Sequence, residues 1–290
     1  MLVVGPSSEK LGQKISKILR VEPVRLIHKT FPDGESYFRV TDKVGGHVVL
    51  VQGTHPPQDR HLVQTVLLCQ GLRDLGADRL TVVMPYLAYA RQDKTFLEGE
   101  VVSLKVVINL LRSSGVERVI TVNPHSPWAL QDGLISFKIV DAVPRVCEYL
   151  KHLIERPAIV LSPGKKGEAM AREAASVLDV ESSHVKSFRD PERGDVRVEI
   201  GVGDLRGYTV LLIDDLISTG GTMIRLIEAV RSMGARRVIA ACVHGLFVGG
   251  ADSKVFRAGA DMILSTDTVD TPYSKVSVAE PIADLLAYLR

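Results

Sequence analysis

At 290 residues, with 46% hydrophobic and 24% charged, the chain has the length and core-forming composition of two ordinary domains. Its formal net charge of +2 excludes the broad basic surface that non-specific nucleic-acid or anionic-membrane binding needs, so any anion site is local. No stretch approaches the roughly 18 uninterrupted apolar residues of a membrane span, and "MLVVGPSSEK" has no basic leader before a long apolar core, so a cytoplasmic protein with no nucleic-acid or membrane partner is expected.

Taken in chain order, short apolar strands are predicted at 2–4, 48–52, 80–84, 118–122, 158–162, 209–214, 237–243 and 262–266. Helical patterns lie between several of them. The first, "SSEKLGQKISKILR", puts Leu11, Ile15, Ile18 and Leu19 on one face with the serines as N-cap. Strands alternating with helices predict an α/β fold with parallel sheets flanked by helices. Cys69, Cys147 and Cys242 are odd in number and far apart, without CxxC spacing, and read as buried small hydrophobes.

The pattern repeats. Residues 48–86 and 210–245 both run strand, polar loop, helix, Gly-Ala turn, strand; "RDLGADRL" starts at 73 and "RSMGARRV" at 231, an offset of 158 residues. Two tandem copies of one fold follow, with the boundary near residues 141 to 145.

The copies differ in the loop. "GTHPPQDR" has no acidic pair and carries two prolines, which offer no amide hydrogen to an anion. In "VLLIDDLISTGGT", Val210–Ile213 read as a buried strand that hands Asp214 and Asp215 to a loop, and Ser218, Thr219, Gly220, Gly221 and Thr222 stand at the start of a helix ending near Gly234. Unpaired amides, the positive helix end, close-packing glycines and hydroxyls suit a phosphate. Carboxylates would repel that phosphate, yet they accept hydrogen bonds from vicinal sugar hydroxyls and ligate Mg²⁺. A sugar phosphate such as ribose 5-phosphate satisfies both ends. GxxxxGK[ST] is absent, so a nucleoside triphosphate is held elsewhere.

Three other segments carry candidate chemistry. "FPDGE" (31 to 35) is a turn built around Asp33 by Pro32 and Gly34, presenting Phe31 and Glu35. "MPYLAYARQDK" (84 to 94) follows a strand, so Arg91, Gln92, Asp93 and Lys94 fall in the loop after it, as either a polyphosphate contact or a solvated charged loop. His125 ends "RVITVNPHSPW", where a lone histidine is more often a hydrogen-bonded structural residue than a ligand.

With "GEVVSLK" (99 to 105), "SPGKKG" (162 to 167), "VHGLFVGGA" (243 to 251) and "SKVSV" (274 to 278), these segments resemble the ribose-phosphate pyrophosphokinase family along the whole chain, in family order, with a length similar to its archaeal members. The resemblance implies two phosphoribosyltransferase-like domains, 1–142 carrying the ATP segments and 143–290 the ribose 5-phosphate loop, the last helix from about 280 packing back on the first. It implies transfer of the diphosphoryl group of Mg-ATP to the C1 hydroxyl of ribose 5-phosphate, giving phosphoribosyl pyrophosphate and AMP. Asp214, Asp215 and Ser218 to Thr222 would hold the sugar phosphate. Phe31, by stacking on adenine, with Asp33, Gly34, Glu35, Arg91 and Gln92, would hold ATP in a site shared across subunits of a homo-oligomer. His125 would contact the Mg²⁺ of the nucleotide, and Lys186 and Arg189 would stabilise the transferring group from a flexible hairpin at 184–200.

This chain departs from the family twice. Gly164 stands where the family usually has a metal-binding Asp. The family's Lys-x-Arg is represented by Lys186 and Arg189 with two residues between them, so that alignment through Arg189 puts Ser187 in the lysine's place. Those departures raise a second reading, a weak or inactive homologue that binds the same ligands and regulates a partner synthetase. A nucleobase phosphoribosyltransferase would share the acidic loop, but the doubled length, FPDGE and YARQD count against it.

Overall fold

The computed structural model describes the chain except residues 132, 134, 190–195 and 290, and except the side chains of 165, 166, 186–189 and 196–199. It divides into two compact units, Met1–Val140 with Val278–Arg290, and Asp141–Ser277.

In the first unit the order is β1 (Leu2–Val4), α1 (Glu9–Leu19), β2 (Leu26–Thr30), β3 (Ser36–Val40), β4 (Gly46–Val51), α2 (Gln58–Asp74), β5 (Ala77–Met84), α3 (Ser103–Ser113), β6 (Arg118–Val122) and β7 (Ser136–Val140). The second has α4 (Val143–Leu150), β8 (Ala158–Pro163), α5 (Gly164–Leu178), β9 (Glu181–Arg189), β10 (Val196–Ile200), β11 (Thr209–Ile217), α6 (Gly221–Ser232), β12 (Arg237–Gly245), α7 (Ala251–Arg257), β13 (Met262–Thr266) and β14 (Ser274–Val276). The chain then returns to the first unit as α8 (Ala279–Tyr288), which packs on α1.

Both sheets follow one plan. The first is β1-β4-β5-β6-β7, all parallel; the second is β10-β9-β8-β11-β12-β13-β14, parallel except where β10 runs against β9. In each, a hairpin follows the helix that comes after the first strand. β9–β10 extends the second sheet, whereas β2–β3 forms a two-stranded sheet of its own.

The pleat distributes the core. In β11 and β12, Val210, Leu212, Val238, Ala240 and Cys242 pack on Met223, Leu226, Ile227 and Val230 of α6. The alternate residues Leu211, Ile213, Ile239 and Ala241 pack on Val146, Cys147 and Ala174 of α4 and α5. A strand buried on both faces shows no alternation, which is why these runs are apolar throughout. All three cysteines are buried.

The repeat extends to its arginines. Arg73 donates to the Ala77 and Asp78 carbonyls beyond Gly76 and pairs with Glu117; Arg231 donates to the Ala235 and Arg236 carbonyls beyond Gly234 and pairs with Asp261. Each lies on a left-handed glycine, Gly115 and Gly259, where a methyl would come within 2.8 Å of Arg73 Cγ and 3.2 Å of Arg231 Cγ.

Three local expectations need correction. The serines before α1 do not cap it: Ser7 Oγ donates to the Gly53 carbonyl and Ser8 Oγ accepts the Gly53 amide, so both tie the helix start to the end of β4. Ile18 is exposed, because α1 buries only the Leu11–Ile15 side of its stripe. β11 continues to Ile217, since Asp214, Leu216 and Ile217 keep their pairing with Cys242, His244 and Gly245; the acidic pair therefore sits within the strand, not in a loop.

Candidate active site

In the second sheet the chain leaves β8 through α5 toward β9, and leaves β11 through α6 toward β12, on the opposite side. The adjacent carboxyl ends of β8 and β11 form a topological switch point, the place where open α/β sheets leave a ligand crevice. Ser162, Pro163 and Gly164 stand at one lip, Asp214 and Asp215 at the other.

Asp214 and Asp215 are half-buried, and the Asp215 amide donates to Asp214 Oδ1 at 2.9 Å, which fixes the first carboxylate. Burial first, and then these two nearby charges, push the thiol of Cys242 up. Past Ile217 the chain turns through Ser218 and Thr219 to Gly220, which is buried and left-handed at φ 79°. The first bond inside α6 runs from the Ile224 amide to the Gly220 carbonyl at 2.8 Å, so the amides of Gly221, Thr222 and Met223 have no acceptor within the helix. Gly221 and Thr222 are exposed, and a methyl on Gly221 would touch nothing within 4 Å. A small anion can approach this backbone directly.

The first unit carries the other candidates. Phe31–Glu35 forms the tip of the β2–β3 hairpin: the Phe31 amide donates to the Glu35 carbonyl (2.8 Å), the Gly34 amide to the Phe31 carbonyl (2.9 Å), and the Glu35 amide to Asp33 Oδ1 (3.2 Å). Phe31 is exposed, edge-on to Tyr37, with Lys29 Nζ 4.9 Å from its ring centre. Arg91 is exposed and Gln92 half-buried in the loop after β5, where the Gln92 amide donates to the carbonyl of left-handed Tyr89. Asp93 accepts the indole N–H of Trp128 at 2.9 Å, joining this loop to the turn that follows half-buried His125. No group of three or more His, Cys, Asp or Glu among the described residues forms a metal centre, and no helix among them is long and apolar enough to cross a membrane.

The sequence of the ribose-phosphate pyrophosphokinase of Sulfolobus acidocaldarius is 38% identical to this chain and covers 97% of both. The chain belongs to the ribose-phosphate pyrophosphokinase family. Models of the N-terminal domain of ribose phosphate pyrophosphokinase and of the phosphoribosyl transferase domain match residues 1–115 and 141–278. The ribose-phosphate pyrophosphokinase of Methanobrevibacter smithii is 33% identical over 99% of both chains. The crystal structure of phosphoribosylpyrophosphate synthetase from Mycobacterium smegmatis superposes with a TM-score of 0.87 at 26% identity, covering 100% of this chain and 98% of that one.

Several supports of the site escape motif reading. The Leu246 and Phe247 amides donate to the Ile217 carbonyl and the Val248 amide to the Ser218 carbonyl at 3.0 Å, so "VHGLFVGGA" buttresses the turn from behind. Ala251 and Val255 of α7 close on Gly220, each 3.4 Å from where its Cβ would be. Glu100 Oε2 accepts the Phe96 and Leu97 amides, which hold its carboxyl below the usual range and shape the loop after Arg91. Sequence gave only the motif matches as a signal for these. Lys186 and Arg189 lie on β9, paired with Glu199 and Val196 of β10; their side chains lie outside the described residues.

Proposed function

We propose that the protein transfers the diphosphoryl group of Mg-ATP to the C1 hydroxyl of ribose 5-phosphate, giving phosphoribosyl pyrophosphate and AMP. One observation carries this reading: a half-buried carboxylate pair at a switch point, followed within a few residues by exposed, unpaired amides at a helix start. A phosphate on the amides of Gly221 and Thr222, with the hydroxyls of Ser218, Thr219 and Thr222, leaves the ribose diol for Asp214 and Asp215.

The ATP role falls to Phe31, Asp33, Gly34, Glu35, Arg91 and Gln92, with residues 1–142 as the nucleotide domain and 143–290 as the sugar-phosphate domain, except that the last helix packs back on the first unit. The exposure of Phe31 and Arg91 suits a site shared between subunits of a homo-oligomer in the cytoplasm. Mg²⁺ binds through one or two side chains plus substrate phosphates rather than a protein cage. Half-buried Asp214 and Asp215 fit that donor chemistry, and His125 is the further candidate ligand. When bound, the ion neutralises phosphate charge. Catalysis then rests on holding the C1 hydroxyl in line with the β-phosphorus and on cations, with Lys186 and Arg189 as the candidates, that stabilise spreading charge.

AMP formation from ATP that depends strictly on ribose 5-phosphate is the expected result; ATP uptake without AMP in the presence of the sugar would refute it. Gly164 supports the second reading, a weak homologue acting on a partner synthetase, because the lip of the crevice lacks a carboxylate there. Its φ is 72° and a Cβ would meet nothing within 4 Å, so an Asp, which tolerates left-handed backbone better than most residues, has room. Gly164→Asp raises the rate if a missing metal ligand limits turnover, and leaves it unchanged if the second reading holds for other reasons.

A further inference from the structure

Phe247, in the turn between β12 and α7, holds a left-handed backbone at φ 46°. A bulky side chain disfavours that region, and the conformation persists only where its surroundings impose it. Here they do. The ring stands edge-on to Tyr273 with centres 5.1 Å apart, and it lies over Gly245, where a methyl would come 2.4 Å from ring Cε2. Tyr273 is fixed in turn: its hydroxyl donates to Asp252 Oδ2 at 2.9 Å, and its carbonyl accepts the Ser265 amide at 2.8 Å.

The held turn brings three successive amides onto the strand end in front of it. Leu246 and Phe247 donate to the Ile217 carbonyl at 3.0 and 3.1 Å, and Val248 donates to the Ser218 carbonyl at 3.0 Å. In a planar trans peptide the C=O and the next N–H point in opposite directions. With the Ile217 and Ser218 carbonyls drawn back toward the turn, the amides of Ser218 and Thr219 face away from it. Neither amide meets an acceptor among the described residues. They therefore extend the row of unpaired donors that begins α6 at Gly221 and Thr222.

We propose that Phe247 is a positioning residue for the sugar phosphate: its left-handed backbone sets the two peptide planes that aim the Ser218 and Thr219 amides at the phosphate. The inference rests on the sugar-phosphate reading of this loop. A purely structural role for Phe247 predicts lost stability with ribose 5-phosphate affinity intact.

The test is isothermal titration of the full chain with ribose 5-phosphate and, separately, with Mg-ATP, alongside melting temperatures, on the wild type, Phe247→Ala, Phe247→Gly and Gly207→Ala. Gly207 precedes β11 at the end of the strand remote from the cradle; it is left-handed at φ 81°, and a methyl there meets nothing within 4 Å. Gly207→Ala lowers the melting temperature by roughly 2–6 °C and leaves ribose 5-phosphate affinity at the wild-type value. Phe247→Ala weakens ribose 5-phosphate binding about tenfold, the effect of losing one amide bond to a charged group, and leaves Mg-ATP affinity unchanged. Phe247→Gly loses only about two- to threefold, because glycine takes the left-handed conformation without cost and the three amide bonds still hold it. Wild-type ribose 5-phosphate affinity in Phe247→Ala overturns the inference. So does weaker binding in Phe247→Gly than in Phe247→Ala, which would make the ring and not the backbone the determinant, or an equal loss in Gly207→Ala, which would signal general loosening. If Phe247→Ala does not fold, Phe247→Gly decides, and wild-type affinity there overturns the inference. A wild-type chain that takes up no ribose 5-phosphate overturns the proposed function and this inference with it; wild-type uptake with unaffected variants overturns this inference alone.

Discussion

Alanine at two adjacent glycines separates the folding role of the α6 start from its ligand role. Gly220 holds φ 79°, a region that costs a residue with a Cβ about 1–2 kcal/mol. Its new methyl would sit 3.4 Å from Ala251 Cβ and Val255 Cγ2, ordinary contact that adds no clash. Gly220→Ala therefore lowers the melting temperature by roughly 2–6 °C for a unit of this size. Gly221 is the first residue of α6, outside the left-handed set, with open space around it. Gly221→Ala leaves stability unchanged or raises it by about 0.4–1 kcal/mol by restricting the unfolded chain. If phosphate lies against these amides, both variants lose ribose 5-phosphate affinity, Gly221→Ala by roughly tenfold or about 1.4 kcal/mol, because the methyl occupies the approach. Differential scanning calorimetry gives the stabilities and isothermal titration the affinities. Wild-type affinity in Gly221→Ala would refute the placement of the anion.

Phe31→Ala, at an exposed tip, leaves the melting temperature near its wild-type value but weakens ATP binding by a factor of roughly ten, as loss of an aromatic stack does; equal ATP affinity by titration counts against the hairpin as the adenine platform. Arg231→Met strands the carbonyls of Ala235, Arg236 and Gly259 and costs about 2–4 kcal/mol, read from urea denaturation. Burial, then the charge and hydrogen bond of Asp141, push the Glu173 carboxyl up to about 6. Its folded value lies above its unfolded one, so its contribution is complete below the ordinary glutamate range and is lost as pH rises through about 6; Glu173→Gln flattens that part of the melting profile, and an unaltered profile refutes the pairing. Ending the chain at Ser277 removes Val278, Ile282 and Leu286, none more than 4% exposed. At about 1.5–3 kcal/mol each this is most of an ordinary domain's stability, and limited proteolysis should then cut the first unit as an unfolded chain.

The elements most legible in sequence were those whose burial leaves an unbroken apolar run. "RVITV" and "MILST" match β6 and β13 residue for residue, because each buries nearly its whole length and fills it with apolar side chains and the small hydroxyls of Thr121, Ser265 and Thr266. β11 ran past its predicted end since a carboxylate at the mouth of the crevice is solvated while its backbone still pairs. β7, with the pattern exposed, half-buried, exposed, exposed, buried, lies at a sheet edge and gives no run to detect. The cradle was readable because its chemistry is local: acids, hydroxyls and glycines follow one another within nine residues, Asp214 to Thr222. Its supports were not. The amides of Leu246 to Val248 and the side chains of Ala251 and Val255 act from 24 or more residues away, and an amide carries no sequence signature.

The duplication lets one fold carry two different strand-end chemistries. Both repeats place a strand end, a loop and a helix start at the same point of the same sheet order. In the second, Gly220 and Gly221 keep that point open and its amides free for an anion. In the first, Pro56 and Pro57 remove amide donors, Gln52 fills the space, and the freed helix turns its polar face to the hairpin and to Tyr89. The terminal helices exchange as well: α4, which follows the last strand of the first repeat, packs on α5, and α8, which follows the last strand of the second, packs on α1. Neither repeat finishes its own core with its own chain, so a lone copy would leave an apolar face bare.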